Sequence, residues 1–161
     1  MRRLQRSRLR RERLLIASAL ALCSTTKAAD LPACGTGADQ VRIQVAVEGL
    51  RSARGQVTIT LYPDDADRFL AKGGKLARQR VPTSLPATHA CFAVPAAGHY
   101  AISVYHDEDG DGKFKRSLFG LPAEGYGFSN NPKSLTGLPS LSDVRFVTQP
   151  GDNPVAITLH Y

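Results

Sequence analysis

Tryptophan is absent from this 161-residue chain, methionine occurs once, and Phe, Trp and Tyr together make up only 7% of it. A carbohydrate-binding face would therefore have to rest on tyrosine and phenylalanine alone. No apolar stretch reaches the roughly 18–20 residues that a membrane-spanning helix needs; the clearest, Leu14 to Cys23, is about ten long. The three cysteines, Cys23, Cys34 and Cys91, are widely spaced, and no nearby histidine completes a zinc set. The acidic run that follows His106 lacks a glutamate at its twelfth position, where Leu118 stands, and no amphipathic helices flank it. An EF-hand is excluded.

The net charge of +7 is concentrated at one end. Met1 to Arg13 carries seven arginines, Leu14 to Cys23 is apolar, and Thr26-Lys27-Ala28 places small residues at the −3 and −1 positions. This is the layout of a secretory signal peptide, residues 1–28, cleaved after about Ala28. A lipid-bearing Cys23 is the lesser reading, because Leu22 is bulky. Cleavage removes eight of the 21 Lys and Arg and one of the 14 Asp and Glu, leaving 13 of each. A domain without a basic surplus lacks the electrostatic footprint of a nucleic-acid binder. Residues 29–161 are enough for one domain with its own core, expected to be periplasmic or secreted and to have no transmembrane helix. Cys34 and Cys91 remain as a pair, and in an exported protein an even count reads as a disulfide.

Period-two alternation recurs along that domain. Val41, Ile43, Val45 and Val47 alternate with Arg42, Gln44, Ala46 and Glu48, and Val57, Ile59 and Leu61 with Thr58, Thr60 and Tyr62. The same holds for Tyr100, Ile102 and Val104, and for Val155, Ile157 and Leu159. Each reads as a half-buried strand. Weaker candidates are Arg78 to Val81, His89 to Val94 and Val144 to Thr148. About seven short strands predict an all-β, antiparallel two-sheet sandwich, with a barrel as the alternative. One helical segment is expected over Asp64 to Lys72, stopped by Gly73-Gly74.

The run from His106 to Pro132 holds the chemistry. Asp107, Asp109 and Asp111 alternate, and Gly110 and Gly112 permit a sharp backbone curl, as in the first half of a calcium loop. Glu124, Asn130 or a backbone carbonyl could complete the shell. The competing reading is a solvated acidic hairpin, in which Asp and Gly are simply good turn formers. Three such carboxylates repel one another unless a cation or Lys113 compensates. His106, Tyr126, Phe128, Asn130 and Asn131 are the candidate binding residues of the same loop. Ser129 lacks the surroundings of a nucleophile elbow, and Ser129-Asn130-Asn131 suits side-chain locking of the backbone.

Ala97-Gly98-His99-Tyr100-Ala101-Ile102-Ser103-Val104 with the following Asp-Gly run resembles transthyretin-like and carboxypeptidase-regulatory-like sandwich domains. The longer strings VYHDEDGDGKF and FGLPAEGYGFSNN, with GLRSARGQVTITLY before them and ITLHY at the end, resemble the uncharacterised bacterial domain-of-unknown-function family 2141. The resemblance covers about Val41 to Tyr161 and implies a small exported β-sandwich. It supplies no catalytic residues. It also implies an asparagine in place of one turn carboxylate and an acidic residue where this chain has Lys115.

Two functional classes follow. One is a non-enzymatic exported module that binds an envelope protein or a small ligand through the 106–132 loop, with calcium as stabiliser. The other is an envelope hydrolase using Asp107, Asp109 and Glu124 for acid–base chemistry. A cleft lined by these groups would favour the enzyme; convergence on one point would favour binding.

Overall fold

The computed structural model describes residues 34–35, 40–115, 123–133 and 138–161. The expected signal segment and its cleavage position, Cys23, Leu118 and Phe119 lie outside the described residues. The elements in chain order are β1 (Val41–Glu48), β2 (Gln56–Pro63), β3 (Ala77–Pro82), β4 (Thr88–Val94), β5 (His99–Asp107), β6 (Tyr126–Phe128), α1 (Leu141–Val144), β7 (Phe146–Val147) and β8 (Gly151–Thr158). They form two sheets, β4-β1-β8 and β3-β2-β5-β6, with β7 paired to the start of β5. The expected all-β sandwich is what the chain builds.

Alternation explains the core. Ile43, Val45 and Val47 of one sheet are buried with Ile59, Leu61, Ile102 and Val104 of the other, and Ile157 joins them. Burying each such side chain contributes roughly 1.5–3 kcal/mol. Pairings between named strands are antiparallel except β1–β8, which runs parallel with Val45 opposite Val155. Period two says which face a residue takes but not the direction of its neighbour. Cys34 and Cys91 form a disulfide with Cα atoms 5.6 Å apart. Cys91 sits on the opposite side of β4 from the core residues Ala90 and Phe92. The bridge therefore ties the preceding segment across an outer face, as the strand parity implies. No helix among the described residues is long and apolar enough to cross a membrane.

Three elements differ from the sequence expectation. The helix over Asp64 to Lys72 does not form. Asp65 caps the N–H of Asp67 at 3.0 Å and its carbonyl accepts from Phe69 at 3.0 Å, but Leu70 then turns left-handed with φ 58°. A helix this short is marginal by itself, and the turn lets Phe69 and Leu70 pack beside Tyr62, Ala101, Phe128 and Val144. The four-residue α1 lies instead at Leu141–Val144, where the Asp143 carboxylate accepts the Ser140 N–H at 2.9 Å. Strand β2 is buried on both faces, Thr58 and Thr60 included, because the 64–75 segment and aromatic side chains cover its outer side. Finally, the glycine-rich run at 126–128 adds a strand to β5, with Val104 opposite Gly127.

Candidate functional site

Strand β5 delivers Asp107 to the end of the sandwich, fully buried. Its carboxylate organises the turn that follows. One oxygen accepts the Asp111 N–H at 3.1 Å; the other accepts the Gly112 N–H at 2.9 Å and the Gln56 side-chain amide at 2.8 Å. Gly110 and Gly112 take φ of 74° and 75°, the left-handed conformation that such a curl requires. The return segment is tied on by backbone bonds from Ala123 N–H to Lys115 O at 3.0 Å and from His106 N–H to Gly125 O at 2.8 Å. Glu124 is thereby brought back, buried, and accepts the Lys115 N–H at 3.1 Å. One oxygen each of Asp107, Asp109 and Glu124 lie within 4.8 Å of one another.

Asp111 stands outside that trio. Its Oδ2 pairs with the Lys115 ammonium at 3.0 Å, and the same ammonium pairs with Asp109. The compensating cation is Lys115 rather than Lys113. Hydrogen bonds from Lys115 hold Asp109 and Asp111 below the usual carboxylate range, and both carboxylates raise Lys115. Burial pushes Glu124 upward, and the charges of Asp107, Asp109 and Asp111 add to the rise. Glu124 thus lies buried among three other carboxylates, two of which share the Lys115 ammonium as counter-charge.

His106 is not a free ligand. It is fully buried, with Nε2 at 2.8 Å from the Arg54 carbonyl and Nδ1 at 2.7 Å from the Tyr161 hydroxyl. The Tyr161 ring lies where a side chain at Gly125 would stand, 2.5 Å from an added Cβ. Beside it, Glu108 accepts hydrogen bonds from Arg51 and from Ser52, the latter at 2.6 Å, which lower its pKa to about 2. Ser129 spends its hydroxyl on the Val144 carbonyl and accepts the Ile102 N–H at 3.0 Å. Neither residue is available for a hydrolytic triad. Asn130 donates to the Arg145 carbonyl at 2.8 Å, and Asn131 pairs with Ala156 and Thr158 at 3.1 and 2.8 Å. These asparagines lock the loop, as the turn-forming reading expects.

Tyr126 and Phe128 do line a cleft, with Tyr105, Phe114, Thr60 and Arg78. The Tyr105 hydroxyl donates to the Gly112 carbonyl at 3.1 Å, fastening the cleft wall to the acidic turn. Glu108, Gln56, Lys115, Tyr161 and Arg78 were not legible as site residues. Only the repulsion among alternating carboxylates signalled that some ammonium had to lie close.

No curated protein and no solved structure matches the chain. A family model does match, over residues 45–156, described as "Uncharacterized protein conserved in bacteria (DUF2141)". That match runs from the second half of β1 through most of β8, including the acidic turn and its return segment, and the chain belongs to this family.

Proposed function

We propose that the domain is an exported, non-catalytic binding module whose acidic loop takes one calcium ion as a stabiliser. The observation that carries this reading is the convergence of Asp107, Asp109 and Glu124, from two segments of chain, within 4.8 Å of one another. A hard cation prefers such an oxygen cluster, and its charge offsets both the desolvation of buried Glu124 and its repulsion by Asp107, Asp109 and Asp111. The envelope-hydrolase reading gains nothing from this geometry: the carboxylates meet at one point, and none of them lines the aromatic cleft. Export rests on the arginine-rich and apolar segments of residues 1–28.

Calcium must compete with the Lys115 ammonium for Asp109. With few carboxylates and no bidentate glutamate in loop position, the affinity expected is on the order of 10⁻⁴ to 10⁻³ M. Calcium at about 1 mM then stabilises the fold by about 0.4–1.4 kcal/mol. Thermal denaturation with calcium or chelator tests this. Asp109→Ala should abolish the increment, Lys115→Met should enlarge it, and acidification through the raised range of Glu124 should erase it, since the ligand must be ionised. A wild type that gains no stability from millimolar calcium, with Asp109→Ala melting at or above it, returns the turn to a solvated hairpin.

A further inference from the structure

The outer face of the β3-β2-β5-β6 sheet carries a depression that the acidic loop does not account for. Strand register lays two rows across it. Arg78, Thr60, Ser103 and Phe128 form one row, and Arg80, Thr58, Tyr105 and Tyr126 the next. Short side chains occupy the middle of the first row while large ones surround it, which leaves a cavity of about 220 Å³. Six rings follow one another around it in the order Tyr62, Phe69, Phe128, Tyr126, Phe114, Tyr105. Neighbouring centroids are 5.4, 6.4, 6.2, 6.4 and 5.5 Å apart. All but Phe69 touch the cavity directly.

Arg78 lines the same space from the β3 edge. Its Nε donates to Thr60 Oγ1 at 2.9 Å, which holds the guanidinium over the sheet. Among the described residues it has no carboxylate partner, and neither do Lys72, Lys75 and Arg80 beside it. An aromatic cage by itself suits a quaternary ammonium, but this unpaired basic edge repels one. It attracts an anion, and the planar fork of arginine matches a carboxylate with two parallel bonds. An apolar cavity of about 150 Å³ accommodates benzene, so the space here takes one substituted ring. Neighbouring lining rings are inclined to one another by 64–74°. They therefore offer both faces and edges to a guest ring, the arrangement aromatic pairs prefer.

We propose that this cavity binds a small aromatic carboxylate, with the ring inside the aromatic arc and the carboxylate on Arg78. The proposal is independent of the calcium reading, and its test is run in chelator so that the two fail separately. The full chain is titrated with benzoate, benzamide and tetramethylammonium, and binding is read by amide chemical-shift changes mapped onto the sheet. Benzoate is expected to bind with a Kd on the order of a millimolar or tighter, shifting residues 60, 78, 103 and 126–128. Benzamide, which lacks the charge, should bind roughly tenfold more weakly. Arg78→Met lies on an exposed edge strand, so it keeps the fold, and it should reduce benzoate to the affinity of benzamide. Ser103→Leu fills the cavity and should abolish both. Tetramethylammonium binding better than benzoate, no loss in Arg78→Met, or shifts confined to other faces would each overturn the proposal. So would a wild type that binds nothing.

Discussion

Replacing Tyr161 by phenylalanine removes one oxygen and tests how the buried histidine is satisfied. The Arg54 carbonyl, 2.8 Å from His106 Nε2, only accepts, so Nε2 carries a hydrogen, and in the neutral ring Nδ1 accepts from the Tyr161 hydroxyl at 2.7 Å. That hydroxyl in turn accepts the Arg51 N–H at 3.2 Å. In Tyr161→Phe the ring keeps its place on Gly125 and beneath the Arg51 guanidinium, 4.3 Å from its centroid, so packing is unchanged. What is lost is the only donor, among the described residues, to a nitrogen of a fully buried ring. An unsatisfied buried acceptor costs about 1–3 kcal/mol. Tyr161 is 46% exposed, which lets water recover part of that and places the expected loss at about 1–2 kcal/mol. For a domain of this size the melting temperature should fall by roughly 3–10 °C. Urea denaturation in chelator should show a lower midpoint with an unchanged slope, since the surface exposed on unfolding is the same. Nitrogen chemical shifts of His106 should report hydrogen on Nε2 in the wild type. A variant that melts within a degree of wild type, or a His106 carrying its hydrogen on Nδ1, would refute the reasoning.

Glu108→Gln should destabilise the protein by about 1–2 kcal/mol near neutral pH, an amount discounted because its partner Arg51 is half exposed. The folded pKa is depressed to about 2, below the ordinary value near 4.3, so this contribution is complete above about pH 4.5 and fades as pH falls toward 2. Wild type and variant should therefore converge in acid melts, and a gap that stays constant to about pH 2 would contradict the assignment. Unfolded, unreduced protein should show no reactive thiol at Cys34 or Cys91, and reduction should cost up to roughly 4 kcal/mol from the loop it opens; two free thiols would end that account. Mass spectrometry of the exported form should find a chain beginning near residue 29, whereas an intact start or a lipid on Cys23 would show the signal-peptide reading to be wrong.

The strands at 41–48, 56–63, 99–107 and 151–158 were readable because side-chain parity is a property of consecutive residues, and Val, Ile and Thr at alternate positions leave one face to bury. The disulfide followed from counting thiols, and the curl at Gly110 and Gly112 from local turn chemistry. Parity with Tyr100, Ile102 and Val104 also accounts for His106 lying inward. None of this said what would cover each outer face. Thr58, Thr60 and Ala101 read as solvent-facing, yet they are buried, and Ala101 packs with Phe69 and Leu70 from the 64–75 turn and Phe128 from β6. The helix pattern over 64–72 yielded for the same reason: one turn of helix is marginal, and burying Phe69 and Leu70 on the sheet outweighs extending it. At the candidate site the sequence determined which carboxylates exist, while folding chose the group. Glu124 joins Asp107 and Asp109 because the return segment bonds to β5, while Asp111 stands outside the trio and shares the Lys115 ammonium with Asp109. Local periodicity and turn preference are written residue by residue. Convergence of charges and coverage of faces depend on which distant segments pack together, and only the tertiary structure decides that.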